Sequence, residues 1–392
     1  MSTRKELTCS HFPVTTRALF LAVCAFVGMR WPGASSSGQM NILVTGASGF
    51  VGSRLIPALF TGGHRVSALA RDPSRGDFDP RTVEVFAGDV LTGEGLVQAL
   101  ADVEVAYYLI HSMERPPARE RPRTAQVNMG SFSERERRGA ENFAEAAMSA
   151  GVTRIVYLGG PTASWLTHPG RGTGEHATGG ERSPHASDRP SPHPDDGLSP
   201  HLRSRAEVER VLREAVPGTV ALHASIVIGA GSRSFRFMVR LIERMAVLPL
   251  PAWREHRTRP IDARDAIAML VAAASTPEGA GRSLDIGGAQ ILNYGEMIER
   301  IAELMLVARP TVRLEVNATA LTGRVAAAVA REDPELVIAL MESLQGDLLP
   351  DGPNGNAHLH AAESLGVELH GFDAAVEYAL REWELIEPLA AR

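Results

Sequence analysis

One stretch near the start of the chain, Asn41-Ile-Leu-Val-Thr-Gly-Ala-Ser-Gly-Phe-Val-Gly52, restricts the possible folds more than any other. An apolar, β-branched run enters glycines at 46, 49 and 52, and an amphipathic run follows with Val51, Leu55, Ile56 and Leu59 on one face. That order predicts a strand, a tight turn and a helix start. Gly46 permits the sharp turn, Gly49 lets the backbone approach an anion, and Gly52 lets helix and strand pack closely. The helix N-terminus adds unpaired N–H donors and a favourable dipole. Such a turn seats the pyrophosphate of a dinucleotide, here against Gly46, Ser48, Gly49, Phe50, Val51 and Gly52.

The alternation continues downstream. Residues 65–70, 83–87, 105–110 and 154–158 read as strands, and 96–100 and 134–150 as helices. The second helix turns Ala140, Phe143, Ala144 and Ala147 inward. This pattern predicts an α/β fold, a Rossmann-type doubly wound parallel sheet, with the nucleotide-binding domain spanning 40–230. A helix over 200–212 and a strand over 219–228 complete it. Beyond lie helices near 235–245, 262–274, 294–306, 334–344 and 372–383, with a short strand at 283–286. They predict a smaller mixed C-terminal lobe, 231–392, packed over the carboxyl ends of the strands to hold a substrate or partner.

Composition narrows the function classes. A net charge of −6 without a sustained basic stripe argues against nucleic acid as a partner. Hydrophobic residues at 44% and charged ones at 22% are ordinary for a soluble globular protein. Cys9 and Cys24 both precede the glycine run, so the folded part has no disulfide, thiol nucleophile or thiolate metal site. Residues 1–39 form an extension with Arg4, Lys5 and Arg17 before the apolar run Ala18–Met29, the shape of a secretory signal and too short to span a membrane. The favoured alternative is a disordered or mis-assigned extension, with translation starting at Met40 and the protein cytoplasmic. Residues 161–199, rich in Gly, Pro, Ser and His, read as a mobile insertion. Its His168, His176, His185 and His193 match no helical face, so no metal site is expected.

The ends of the strands bear on the cofactor. Arg71 follows the second strand, where an NAD site would usually place an acid for the ribose 2′-OH. A guanidinium there can pair with a 2′-phosphate, which favours NADP(H) over NAD(H), although Asp72 is adjacent. Asp89, before Val90, either accepts from the adenine amine or caps a helix beginning at Thr92. Ile110 and His111 end the fourth strand near the cofactor ribose. Asp262 and Asp265 read as helix-capping carboxylates.

Thr45-Gly-Ala-Ser-Gly-Phe-Val-Gly52, Gly88-Asp89, Arg154-Ile-Val-Tyr-Leu-Gly-Gly160 and Asp285-Ile-Gly-Gly288 resemble an atypical short-chain dehydrogenase/reductase. The chain is similar to NmrA-like NAD(P)H-binding proteins and to the NAD(P)H-binding accessory subunit of respiratory complex I. Tyr107–Met113, Arg138–Ala144 and Leu198–Arg205 carry that likeness, which covers about residues 40–310. The resemblance implies a Tyr-x-x-x-Lys pair and a Ser after the fifth strand. Here the strand ends in Gly159-Gly160, with Thr162 or Ser164 as weak substitutes, and the pair is His201 and Arg205.

Two functions follow. The first is an NADP(H)-binding protein without the usual catalytic set, a nucleotide sensor or an accessory member of a protein complex. The second is an NADPH-dependent oxidoreductase or epimerase-type enzyme acting on a small carbonyl or quinone-like ligand, with His201 as a non-standard acid/base and Arg205 beside it.

Overall fold

The structure is a computed structural model that describes residues 38–76, 78–111, 132–162, 165–167, 198–314, 319–332, 334–342, 344, 346–350 and 356–389. The expectations for residues 1–37, for Ser164 and for the four histidines of the 161–199 stretch lie outside them. Among the described residues no helix is long and apolar enough to cross a membrane, and no cluster of residues suits a metal ion.

Seven strands form one sheet: β1 (Asn41–Thr45), β2 (Arg65–Ala70), β3 (Glu84–Ala87), β4 (Val105–Tyr108), β5 (Arg154–Gly159), β6 (Val220–His223) and β7 (Ser283–Asp285). Their order is β7-β6-β5-β4-β1-β2-β3, and every pairing is parallel. The helices are α1 (Gly52–Thr61), α2 (Leu96–Ala99), α3 (Phe132–Ser149), α4 (Pro200–Ala215), α5 (Arg233–Arg244) and α6 (Ala263–Ala273). There follow α7 (Tyr294–Leu304), α8 (Thr319–Ala330), α9 (Pro334–Glu342), α10 (Ala357–Ser364) and α11 (Phe372–Glu384).

Side chains alternate across a strand, so each central strand feeds two cores. Ile42, Val44, Tyr107, Val156 and Leu222 pack on one face with α1, α6 and α10. Leu43, Ala106, Tyr108, Ile155 and Tyr157 pack on the other with α2, α3 and α4. A third core joins α5, α7 and α11 through Phe235, Val239, Met297, Ile301, Val376 and Trp383.

Three expectations change. The boundary at 230 is crossed, because α6 and β7 return from beyond it to the sheet and its core. The run 219–228 is not one strand: β6 ends at His223, and Val227–Ile228 pairs with Ile261–Asp262 in a separate two-stranded sheet. Its apolar sequence carries no break, and pairing with a distant segment imposes one. Within the 161–199 stretch, Leu166–Thr167 pairs antiparallel with Asp347–Leu348 and so ties that part to the lobe.

A buried ion cluster clamps α4 to the sheet edge. His223 on β6 donates from Nδ1 to Asp285 on β7 at 2.9 Å and from Nε2 to Glu209 on α4 at 2.6 Å. Burial alone would lower the pKa of His223, but the two carboxylates outweigh it and raise it to about 9. Because the folded pKa lies above the unfolded 6.5, this stabilisation is complete below pH 6.5 and is lost as pH rises through about 9. Chemical denaturation midpoints should therefore fall across that interval. Glu209→Ala, which leaves the buried cation short of a partner, should cost about 3–5 kcal/mol.

Candidate functional site

One cavity of about 1090 Å³ runs along the carboxyl edge of the sheet. Residues 46–52 reach it from the end of β1, 70–72 from β2, 88–91 from β3, 109–111 from β4, 159–161 from β5 and 224–227 from β6. The strand order reverses between β1 and β4, the crevice where open α/β sheets take their ligands. The sequence-derived candidates Gly46, Ser48, Gly49, Phe50, Val51, Gly52, Arg71, Asp89, Val90, Ile110, His111, His201 and Arg205 all line this cavity.

The glycine turn is built by close approach. Gly46 has φ +67°, and a Cβ there would lie 2.6 Å from the Leu109 carbonyl oxygen. A Cβ on Gly52 would stand 2.4 Å from the Gly46 oxygen and 2.7 Å from Ala47 Cα. Gly49 N–H donates to that same oxygen at 3.0 Å. The N-cap of α1, Val51, provides no side-chain acceptor, and in the first turn Ser53 N–H donates to the Gly49 carbonyl at 2.9 Å and Arg54 N–H to that of Val51 at 3.1 Å.

Phe50 extends the turn toward the lobe. Its ring lies where a Cβ on Gly229 would be, at 2.7 Å, and Arg54 stacks over it at 4.3 Å. Arg54 then donates to the Ala230 carbonyl at 2.8 Å and pairs with Glu382 of α11 at 2.9 Å. Arg71 is exposed at the mouth and has no ion-pair partner among the described residues. Asp72, expected as its competitor, accepts from Ser74 N–H at 3.1 Å and caps a 3₁₀ turn.

Asp89 combines features of both its readings. Its Oδ1 accepts from Leu91 N–H at 2.8 Å, and its side of the turn faces the cavity. No helix begins at Thr92, however; α2 starts at Leu96 because Gly93 and Gly95 both take positive φ. Asp262 does cap α6 through Arg264 N–H at 2.7 Å, and Asp265 accepts from His370 N–H at 2.8 Å.

At the far end of the turn, Arg205 spans two imidazoles. Its Nε donates to His201 Nε2 at 3.2 Å, and its Nη1 lies 3.2 Å from His111 Nε2. Arginine only donates, so each Nε2 is an unprotonated acceptor and each ring carries its proton on Nδ1. Burial and Arg205 together lower His201 to about 3. The same two causes hold His111 well below the ordinary histidine value, helped by His201 and Arg233. A Cβ on Gly160 would meet Arg205 Cδ at 3.2 Å, so the strand end leaves room for the guanidinium. Tyr157, the nearest phenol, donates to the Arg205 carbonyl at 3.2 Å and faces the helix.

The lobe contributes lining that no local motif announces: Arg233, Phe237, Trp253, Tyr294, Met341 and Leu344. Their only sequence signal is ordinary helical amphipathicity, which does not separate a core face from a ligand wall.

Gly52→Ala should lower affinity for a nicotinamide dinucleotide by at least roughly tenfold, with its steric clash appearing as a lower melting temperature. Imidazole ¹⁵N spectra should show His201 neutral, with the proton on Nδ1, down to about pH 5, and His111 neutral with its proton on Nδ1 at neutral pH.

Residues 46–178 match the family model described as NAD(P)H-binding. A 3-beta-hydroxysteroid dehydrogenase of Mycolicibacterium neoaurum is 34% identical over 122 residues, 30% of this chain and 31% of that protein. A 2-alkyl-3-oxoalkanoate reductase of Stenotrophomonas maltophilia is 27% identical over 208 residues, 52% of this chain and 56% of that protein. The chain thus spans about a third to a half of these relatives' length. The solved NAD-dependent NDP-hexosamine 5,6-dehydratase TunA, from tunicamycin biosynthesis, superposes with a TM-score of 0.59 at 18% identity, covering 89% of this chain and 99% of that one. Residues 46–178 therefore carry an NAD(P)H-binding domain, and the chain has a Rossmann-like fold.

Proposed function

We propose that the protein binds NADP(H) and acts as a nucleotide sensor or accessory binding protein in the cytoplasm, without efficient hydride transfer. The observation that carries this reading is Arg205 held between His111 and His201 where the superfamily keeps its Tyr and Lys. Neither imidazole holds a second proton near neutrality, and the guanidinium never releases one. The nicotinamide end therefore has donors for hydrogen bonding but no acid or base matched to neutral pH.

The reading places the pyrophosphate at Gly46–Gly52, the adenine near Asp89 and Val90, and the ribose near Ile110 and His111. The exposed Arg71 favours NADP(H), with its guanidinium on the 2′-phosphate. This accords with the resemblance to NmrA-like proteins and to the complex I accessory subunit, and it makes the partner a protein complex that responds to nucleotide occupancy.

The second reading, an oxidoreductase or epimerase-type enzyme with His201 as acid/base, draws on two facts. The relatives are named for dehydrogenase and reductase activities on oxygen-bearing apolar molecules, and the cavity has room beside the dinucleotide for a carbonyl or quinone-like ligand. His201 weighs against it, because a ring lowered to about 3 is unprotonated at neutral pH and its Nε2 lone pair is engaged by Arg205.

Nicotinamide fluorescence titrations should show NADPH binding at least roughly tenfold tighter than NADH, the worth of a charge-assisted hydrogen bond, with Arg71→Ala removing the preference. Equal affinity would discard the NADP(H) assignment. Across a panel of carbonyls and quinones, NADPH should not be oxidised steadily. Turnover that disappears in His201→Ala would establish the enzyme instead.

A further inference from the structure

The glycine turn does not hold its shape by local contacts alone. Phe50, at its middle, sends its ring against the loop that joins Ile228 to α5. That loop admits the ring because positions 229 and 231 are glycine. A Cβ on Gly229 would lie 2.7 Å from the ring, and one on Gly231, at φ +90°, would touch it at 3.4 Å. The same loop runs on into Ser232 and Arg233, which line the cavity. The middle of the turn is therefore seated on a segment that itself forms part of the cavity wall.

Arg54, one turn further along, fixes the ring in that slot. It stacks over Phe50 at 4.3 Å and donates to the Phe50 carbonyl at 3.3 Å, the Ala230 carbonyl at 2.8 Å and Glu382 at 2.9 Å. Two of these acceptors are neutral, and among the described residues Glu382 of α11 is the only ion-pair partner of Arg54. One turn earlier on the same face of α11, Tyr378 carries Arg264 over its ring at 4.2 Å, and Arg264 pairs with Asp262 at the start of α6. Elsewhere α11 is buried through Val376, Ala379, Leu380 and Trp383 in the core it shares with α5 and α7. A helix anchored in the lobe thus holds a side chain of α1 that holds the turn.

We propose that Glu382 is a positioning residue for nucleotide binding, acting through Arg54 and Phe50 on the backbone at 49–51, so that α11 and a bound dinucleotide stabilise each other. This rests on the reading that the glycine turn takes the pyrophosphate, and it supplies the route by which a nucleotide sensor would pass occupancy to its lobe. Coupling of this kind is reciprocal: whatever factor α11 adds to nucleotide affinity, the nucleotide returns to the hold on α11. The Arg54 and Glu382 side chains are each 28% exposed, so solvent screening keeps the factor modest, roughly threefold.

The test combines NADPH titration with amide hydrogen exchange on the full chain, unaltered and as Glu382→Gln and Glu387→Gln. Glu387 accepts from Arg240 of α5 at 3.1 Å, an ion pair that ties the same end of α11 to the lobe without involving the turn. NADPH should slow exchange across residues 376–384 of the unaltered protein. Glu382→Gln should weaken NADPH binding roughly threefold and remove that slowing, while Glu387→Gln leaves both as they were. Arg54→Met combined with Glu382→Gln should bind NADPH no more weakly than Arg54→Met alone, because the two act on one contact. Undiminished affinity in Glu382→Gln overturns the proposal. Equal weakening in Glu387→Gln does so as well, since a general loosening of α11 would then suffice. NADPH that binds the unaltered protein yet leaves exchange in α11 unchanged overturns the proposal alone, whether or not any variant folds. NADPH that does not bind at all overturns the nucleotide reading, and this inference with it.

Discussion

A fully parallel sheet sends all its strands out at one edge, and the rest of this structure follows from what crowds there. Six successive strand ends bring backbone to the same crevice, and each loop must pass its neighbours within van der Waals distance. Glycine is required where the main chains would otherwise collide: Gly46 against Leu109, and Gly52 against Gly46 and Ala47. The crevice is the space left over after that packing, and its polar character comes from backbone and strand-end residues.

The chemistry at the far end follows from the reach of one arginine. Arg205 extends past the end of the fifth strand, where Gly160 yields the space its methylenes occupy. Its fork reaches two imidazoles and, by donating to both, holds them as bases without protons. A group that would otherwise titrate near neutrality becomes a fixed dipole. The site gains a rigid donor surface and gives up proton exchange. One turn further along, the same helix α4 does the reverse with His223, which is held as a cation by Glu209 and Asp285. Burial lowers all three histidines; Arg205 adds to it at His201 and His111, and at His223 the two carboxylates outweigh it.

The sheet was legible in the sequence because its signals are local. The period-two apolar runs at 41–45, 65–70 and 154–158, the helical stripe Ala140–Ala147 and the glycine spacing each report on neighbours a few residues away. The cofactor candidates at strand ends were legible for the same reason, as positions relative to those strands. Residues of the lobe were not. Trp253 and Met341 reach the cavity only through the packing of α5, α7 and α9, and an apolar helical face reads alike whether it covers a core or a ligand. The break after His223 and the return of β7 to the sheet edge depend on partners over 30 residues away, at Ile261 and from His223 to Asp285. The neutrality of His201 was also beyond sequence reasoning, since it depends on depth and on the direction of the Arg205 fork.

Arg54 joins the glycine turn to Glu382 across 328 positions of sequence. During synthesis the turn emerges, with its strand and helix, 328 residues before its clasp. Until then Phe50 and Arg54 have neither the Gly229–Gly231 backbone nor α11 to rest on. The glycine turn is thus assembled in two stages, 328 residues of synthesis apart. Contacts of such long range are the slow ones in folding. A nascent chain has to keep an apolar ring and an unpaired guanidinium in solvent throughout that delay, and a bound dinucleotide before completion would have only half of its cradle.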